Sequence, residues 1–218
     1  MTHASIESQV TDFNRGFEAQ IGPDLANTFA AEQADLRSAG APAGAVSVDD
    51  ALPDATLLTA TGEDVRLSAV LSASPAVIVF YRGAWCPYCN ITLRTYQREL
   101  LPALTEQGIK LVAVSPQRPD GTAATIQGAA LDFEVLSDPA NALATALGIL
   151  TSPSPDARRA HTELGFEVSD SNADGTAAVP FPTVLVVDAA ATVRFADIRT
   201  DYTTRTEVPD ILAATRGL

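Results

Sequence analysis

Apolar side chains recur at helical spacing through the first forty residues. The first stripe, with intervals of four, three and four positions, consists of Ile6, Val10, Phe13 and Phe17. A second stripe follows an interruption at Gly22 and Pro23, and its members are Leu25, Phe29 and Leu36. Residues three and four apart share one helix face, so both stripes predict amphipathic helices. We expect residues 1–45 to form a helical arm and linker, which packs against either the main domain or a second subunit.

From residue 46 to residue 218 the pattern predicts one α/β domain. Turn residues at Thr61-Gly62 separate two short strand-like segments, which predicts a hairpin. Continuous apolar runs predict strands that are covered on both faces, at 76–81, 108–115 and 183–188. A helix is predicted from about 87 to 106, bent or ended near Pro102, and the last one from about 208 to 215. Alternating strands and helices of this kind form a sheet with crossover connections.

Composition narrows the choice of partners and compartment. The chain has 218 residues, enough for a core that needs no disulfide or metal to hold it together. Its net charge of −13 and pI near 4.4 would repel nucleic acid and anionic membranes. The N-terminus lacks a basic region followed by an apolar run, and no stretch approaches the roughly 20 apolar residues of a membrane span. We therefore expect a cytoplasmic protein that binds neither nucleic acid nor membranes.

The two cysteines of the chain lie three positions apart in the segment FYRGAWCPYCN, residues 80–90. Cys86 falls between a predicted strand and a helix, where free backbone N–H groups favour a thiolate and lower the thiol pKa. Pro87 suits the first helical turn, and Cys89 lies about one turn further on, within reach of a disulfide. In such a dithiol the first cysteine attacks and the second resolves. Arg82 either adds positive charge near Cys86 or is an ordinary solvated loop residue.

Other interpretations of the pair have weaker support. Zinc needs four ligands, and besides the two cysteines the chain offers only His3 and His161 as strong ones, so we expect no metal. His161 follows two arginines on a short predicted helix and is expected at the surface. The cysteines could instead be inert core residues. The segment SPQRPDG, 115–121, follows a strand and could border the active site.

The segment WCPYC after a buried strand resembles the active site of the thioredoxin superfamily. Phe181-Pro182-Thr183, before the strand at 183–188, resembles the cis-proline segment of that fold. The resemblance implies a thioredoxin fold, a central mixed sheet flanked by helices, here with an N-terminal helical extension. It also implies a substrate-binding surface. Its expected members are Trp85, Pro87, Tyr88, Phe181 and Pro182.

From about residue 50 to the C-terminus the chain resembles the peroxiredoxins of the alkyl hydroperoxide reductase and thiol-specific antioxidant family. The similarity lies in KLVAVSPQ and in VLSDPANALATALGI. It implies that Cys86 attacks a peroxide and becomes a sulfenic acid, which Cys89 converts to a disulfide. The implied partners are a peroxide substrate and a thioredoxin-like or low-molecular-weight thiol donor. A homodimer is left open, and no bound organic cofactor is expected.

The chain also departs from that family's pattern. Peroxiredoxins carry a threonine or serine three residues before the reactive cysteine and a proline seven before it, where this chain has Gly83 and Val79. The family arginine has no motif-level match, and Arg82 and Arg199 are the candidates by position. Two other functions therefore stay open. One is a thiol–disulfide oxidoreductase, and the other is a redox sensor whose disulfide changes a binding surface.

Overall fold

Nine strands occur in the computed structural model, which describes residues 4–218. The strands are β1 Thr56–Leu58, β2 Asp64–Arg66, β3 Ala76–Phe80, β4 Lys110–Ser115, β5 Glu134–Ser137, β6 Leu150–Thr151, β7 Val179–Pro180, β8 Thr183–Val187 and β9 Val193–Ile198. Seven of them form one mixed sheet in the order β2-β1-β5-β4-β3-β8-β9. The central strands β3, β4 and β5 are parallel, and β8 and β9 continue the sheet in antiparallel fashion. The strands β6 and β7 form a separate antiparallel pair.

Helices cover the sheet and form the N-terminal arm. They are α1 Ile6–Ile21, α2 Pro23–Ala39, α3 Leu67–Leu71, α4 Pro87–Thr95, α5 Leu101–Glu106, α6 Pro119–Ala129, α7 Ala142–Ala146, α8 Pro155–Glu163, α9 Val168–Ser171 and α10 Val208–Ala214. None of the helices described between residues 4 and 218 is both long and apolar enough to cross a membrane. The predicted hairpin is present, because β1 pairs with β2 around the Thr61-Gly62 turn.

The long helix predicted after the cysteines is continuous but changes its winding. A π-helical segment, Tyr96–Leu100, joins α4 to α5, and the N–H of Leu101 donates to the carbonyl of Tyr96, five residues earlier. Pro102 follows at once, and it has no N–H to give to the preceding turn. A wider turn is one way for a helix to accommodate a missing hydrogen bond. The helix does not end near Pro102 but continues to Glu106, and the irregularity there is the π segment that directly precedes the proline.

The two faces of β3 carry different parts of the core. Val77 and Val79 belong to a cluster that includes both cysteines, whereas Ile78 and Phe80 belong to the cluster on the opposite face. Successive side chains of a strand point to opposite faces, so this alternation follows directly from the strand. All five residues of β3 are buried, as predicted for a strand covered on both sides. The cysteines therefore lie on the face that α4 covers.

The N-terminal arm folds onto its own chain. Ile6 and Val10 of α1 are buried in the cluster that contains the cysteines. The carboxylate of Glu207 accepts hydrogen bonds from the N–H groups of Ile6 and Glu7, which otherwise lack partners at a helix N-terminus. In α2, the buried Glu32 accepts from the hydroxyl of Tyr202. The sequence left open whether the arm packs against the main domain or a second subunit. In the structure the arm packs against the main domain.

Candidate active site

Cys86 and Cys89 lie at the start of α4, directly after the loop that follows β3. Cys86 is the residue before the helix, Pro87 is its first residue, and Cys89 belongs to its first turn. Both cysteines are reduced and only 1% exposed. The N–H of Cys86 donates to the carbonyl of Gly83, so the loop is a tight turn that fixes the first sulfur against the helix. The strand-to-helix junction predicted for the pair is present.

A cavity of about 410 Å³ opens beside Cys86. Domain residues Arg82, Trp85, Pro87 and Tyr88 form one side of it, and α1 and α2 form much of the other. Aromatic rings from the arm contribute to this wall, and they are Phe13, Phe17 and Phe29. The sequence indicated no chemistry for the arm. In the structure the arm and Cys86 line the same cavity, so the arm forms part of the candidate site.

The guanidinium of Arg205 approaches both sulfurs. Its Nη2 lies 3.3 Å from the Sγ of Cys89 and 4.0 Å from the Sγ of Cys86. The carbonyls of Tyr202 and Thr204 accept from its Nη1 and so hold the guanidinium in place. The sequence did not indicate this residue. It lies 119 positions after Cys86 in an irregular segment before α10, and no local motif links the two.

The two arginines that the sequence offered have different surroundings. Arg82 is 5% exposed, and its guanidinium carbon lies 4.1 Å from the ring centre of Tyr202 and 4.8 Å from that of Trp85. A cation over aromatic faces is attracted by their negative centres, so the rings hold this charge in the wall of the cavity. Arg199 instead pairs with Asp197 at 2.6 Å. Of these two candidates, Arg82 borders the cavity beside Cys86.

The two thiols titrate as a coupled pair, with the negative charge favoured on Cys89. Burial raises the pKa of the Cys86 thiol, and the adjacent Cys89 raises it further. Burial acts in the same direction on Cys89, but the Cys86 S–H, the Arg205 guanidinium and the N–H of Arg82 stabilise its thiolate and lower its pKa to about 5. At neutral pH the pair therefore carries one proton, which lies on Cys86 and is donated in a hydrogen bond to the Cys89 thiolate. The sequence placed the lowered pKa on Cys86, whereas in the structure the lower pKa falls on Cys89, which accepts a hydrogen bond from the Cys86 thiol and lies 3.3 Å from the Arg205 guanidinium.

Gly83 occupies the position at which peroxiredoxins carry a threonine or serine. Its backbone conformation and its neighbours explain why a glycine is found there. Its φ is +152°, which favours glycine, and a Cβ added there would lie 2.5 Å from Nε1 of Trp85. The indole edge therefore fills the space next to this backbone. Gln117, from the segment SPQRPDG, accepts from the N–H of Ala84 and donates to the hydroxyl of Tyr81. That segment borders the cysteine loop through this glutamine.

Phe181 and Pro182 lie on another side of the sulfurs. Pro182 borders a space of about 10 Å³ that Cys89 and Arg205 also border, and neither Phe181 nor Pro182 borders the large cavity beside Cys86. The expected cis-proline is wrong, since no peptide bond among residues 4–218 is cis. The N–H of Phe181 donates to Ile149, and the carbonyl of Pro182 accepts from Arg199, so the chain continues in an extended course from β7 into β8. The trans form is the lower-energy form of such a bond.

His161 is buried, not on the surface as expected. It is 4% exposed and packs against the rings of Phe29, Trp85 and Phe166, at centroid distances of 5.3, 5.9 and 4.7 Å. Arm helix α2 lies against α8 and covers it. Burial and the charge of Arg82 lower its pKa to about 4, so the imidazole is neutral at pH 7. Among the described residues, no group of three or more His, Cys, Asp or Glu side chains could hold a metal ion.

Comparison of the chain with known proteins assigns it to a protein family. The chain matches the model of the AhpC/TSA family over residues 28–196. It belongs to the AhpC/TSA family. The match begins inside α2, earlier than the sequence resemblance near residue 50, so α2 falls partly within the family's range and α1 lies outside it. No curated protein sequence matches the chain.

Solved structures show the same fold at low sequence identity. Peroxidoxin BcpB from Mycobacterium tuberculosis is 22% identical, with a TM-score of 0.60 over 79% of this chain and 98% of that protein. Prx3 from Vibrio vulnificus, in complex with hydrogen peroxide, is 18% identical, with a TM-score of 0.61 over 78% and 98%. A thiol peroxidase from Chromobacterium violaceum is 17% identical, with a TM-score of 0.58 over 79% and 88%. The predicted thioredoxin fold is confirmed.

Proposed function

We propose that this AhpC/TSA family member is a thiol-dependent peroxidase that uses Cys86 and Cys89. The observation that carries the proposal is the position of Cys86. Cys86 is one of the residues that line a cavity of about 410 Å³, and the guanidinium of Arg205 lies 4.0 Å from its sulfur and 3.3 Å from that of Cys89. This arrangement supports the proposal, in which Cys86 is the nucleophile, Cys89 the resolving thiol and Arg205 the fixed positive charge. The cytoplasm, a reducing compartment, suits this chemistry because the resting dithiol must be reduced.

In the first step the sulfur of Cys86 attacks the terminal oxygen of a hydroperoxide. The S–O bond forms and the O–O bond breaks. The proton of the Cys86 thiol ends on the departing oxygen, which leaves as water from hydrogen peroxide or as an alcohol from an organic hydroperoxide. The Cys89 thiolate, hydrogen-bonded to Cys86, is positioned to hold that proton during the transfer. Arg205 and Arg82 stabilise the negative charge that remains on the pair.

In the second step Cys89 attacks the sulfenic acid on Cys86. The S–S bond forms, the S–O bond breaks, and the hydroxide takes a proton and leaves as water. Both cysteines belong to the start of one helix, so closing the disulfide needs little backbone movement. An external dithiol or two small thiols then reduce the disulfide and supply two electrons. A thioredoxin-like protein and a low-molecular-weight thiol are the two donor classes we propose.

A thiol–disulfide oxidoreductase is the second candidate. The observation that favours it is Gly83, since the hydroxyl that would orient a peroxide is absent at this position. In that case Cys86 would attack a substrate disulfide and no sulfenic acid would form.

Cysteine variants test the proposal, because only the peroxidase forms a sulfenic acid. We expect Cys89→Ser to consume one equivalent of hydrogen peroxide and to trap Cys86 as a sulfenic acid, which dimedone labels and mass spectrometry detects. Cys86→Ser should take up no label and lose all peroxidase activity. If Cys89→Ser matched the wild type under donor-limited cycling, Cys89 would not be the resolving residue. If Cys89→Ser gave no dimedone adduct and the wild type formed no Cys86–Cys89 disulfide with peroxide, the peroxidase assignment would fail.

A further inference from the structure

Glu32 of the arm helix α2 is a buried carboxylate that the proposed reaction does not use. It is 7% exposed, and both of its oxygens have partners. Its Oε1 accepts from the N–H of Ser154 at 2.8 Å, and its Oε2 accepts from the hydroxyl of Tyr202 at 3.0 Å. A buried carboxylate loses its hydration and needs hydrogen bonds that replace the lost water. The bond to Tyr202 connects α2 to the segment that carries Arg205.

Tyr202 contacts both arginines of the candidate site. The guanidinium carbon of Arg82 lies 4.1 Å from the centre of the tyrosine ring, and the backbone carbonyl of Tyr202 accepts from Nη1 of Arg205. The tyrosine itself is 7% exposed. A cation over a ring is held more strongly where water is excluded than at the surface. One residue therefore holds two positive charges, one through its side chain and one through its main chain.

A second contact connects α2 to the same segment. Arg37 pairs with Asp201, the residue before Tyr202, at 2.7 Å. The carboxylate of Asp201 also accepts from the N–H and the hydroxyl of Thr203, so it holds the turn that leads to Arg205. The arm helix therefore contacts this segment through two adjacent residues.

Two positive charges act on the dithiol. Burial raises the pKa of both thiols, and the guanidinium groups of Arg82 and Arg205 lower it. Tyr81 and Tyr88 lie close enough to sense the charge on the sulfurs, but burial raises the pKa of each to about 12, so both are neutral at pH 7. The arginines that stabilise the thiolate are thus the two that Tyr202 holds.

We propose that Tyr202 is a positioning residue of the dithiol and that Glu32 fixes it from the arm. The tyrosine ring holds Arg82, its carbonyl holds Arg205, and its hydroxyl is held by the arm carboxylate. This assigns α2 a role beyond bordering the cavity. The inference rests on the proposed function only in that the same two cysteines are the reactive groups.

Substitution of the tyrosine side chain is the first test. The reduced proteins are alkylated with iodoacetamide over a range of pH, which reports the thiolate without any peroxide. Tyr202→Leu removes the ring from Arg82. The midpoint of its alkylation profile should rise by roughly half a unit, less than a nearby opposite charge contributes, because Arg82 is displaced and not removed. Tyr202→Phe keeps the ring but loses the hydroxyl, and its midpoint should lie between those of the wild type and Tyr202→Leu.

Phe133→Leu is the matched control. Phe133 is 8% exposed and belongs to the same buried cluster as Tyr202. Its substitution should lower the urea midpoint of unfolding and leave the alkylation midpoint unchanged. If Tyr202→Leu does not fold, Tyr202→Met replaces it, since the unbranched methionine adapts to irregular space. An unchanged alkylation midpoint in the Tyr202 variant, or an equal rise in Phe133→Leu, would overturn the inference.

Variants of Glu32 test whether the arm holds the tyrosine in place. Glu32→Gln removes the charge, but its amide can donate to the hydroxyl of Tyr202 and so keeps the connection. Glu32→Ala removes both the charge and the connection. Loss of a negative charge alone would lower the pKa of a nearby thiol, so a positioning role and a charge effect predict opposite shifts in Glu32→Ala. We expect its midpoint to rise, and that of Glu32→Gln to stay at or below the wild-type value.

Equal lowering of the midpoint in both Glu32 variants would show that this residue acts by its charge alone, and the inference would fail. An unchanged midpoint in Glu32→Ala would also overturn it. The reaction of Cys86 with peroxide is measured separately, so the two proposals can fail independently. A protein that is inert to peroxide but shows the expected shifts would contradict the proposed function and support the positioning role of Tyr202.

Discussion

The Arg205 guanidinium fixes where the negative charge of the dithiol lies. It is 3.3 Å from the Cys89 sulfur and is held by backbone carbonyls, so it stays in place whether or not a thiolate is present. The buried sulfurs have lost their hydration, and a nearby positive charge offsets that loss more strongly here than it would in water. The lowered pKa of Cys89, about 5, depends on this geometry.

Removing the charge should raise the pKa of the dithiol. The thiolate of the wild type is present above about pH 5 and is lost as the pH falls through that value. In Arg205→Met this loss should occur at higher pH. If the lost charge stabilisation is ~1.4 kcal/mol, the midpoint of the pH profile of iodoacetamide alkylation should rise by about one unit, and alkylation at pH 6 should slow by about twofold.

Two variants serve as controls for this prediction. Arg205→Lys, which keeps the charge, should recover part of the alkylation rate. Arg216→Met removes an exposed arginine and should leave the pH profile of alkylation as it is in the wild type. An unchanged profile in Arg205→Met would show that Arg205 does not stabilise the thiolate.

At the scale of elements, the loop from Tyr81 to Cys86 positions the proposed nucleophile. Gly83 adopts a φ of +152° in the middle of it, against the indole of Trp85. Gly83→Ala should therefore destabilise the protein by about 1–3 kcal/mol, because the backbone is strained for an alanine and Trp85 must move. The measurement is the urea midpoint of unfolding, followed by circular dichroism.

The matched control for that substitution is Gly128→Ala in α6. The added methyl group meets no atom within 4 Å there, and the backbone is helical. Alanine has the higher helix propensity, so this variant should be as stable as the wild type or up to about 1 kcal/mol more stable. Equal stability of Gly83→Ala and Gly128→Ala would contradict the account of the loop.

Local patterns predicted most of the elements, because each depends on residues close in sequence. The alternation of β3, the hairpin around Thr61-Gly62 and the irregular winding just before Pro102 are all of this kind. Long-range contacts could not be predicted in the same way. Arg205 reaches the sulfurs only after the chain has crossed the sheet, and His161 is buried only because α2 folds over α8. The two arginines before His161 favoured a surface position, and tertiary packing overrode that local signal.

At the scale of the whole molecule, the arm and the domain form one packed unit. Ile6 and Val10 belong to the same buried cluster as the cysteines, and Glu207 holds the start of α1. We expect one cooperative unfolding transition, in which Trp85 fluorescence and far-ultraviolet circular dichroism give the same midpoint. Loss of helical signal before the Trp85 change would show that the arm unfolds independently of the domain that carries the cysteines.

The central claim is that Cys86 reacts with peroxide, and rapid mixing tests it most directly. Reduced protein is mixed in a stopped-flow instrument with equimolar hydrogen peroxide, cumene hydroperoxide or an oxidised small disulfide, and Trp85 fluorescence is recorded. We predict that at least one peroxide oxidises the protein far faster than it oxidises a free thiol, and that Cys86→Ser abolishes the reaction. Slow reaction with both peroxides together with fast disulfide exchange would contradict the account, and would make the protein a thiol–disulfide oxidoreductase.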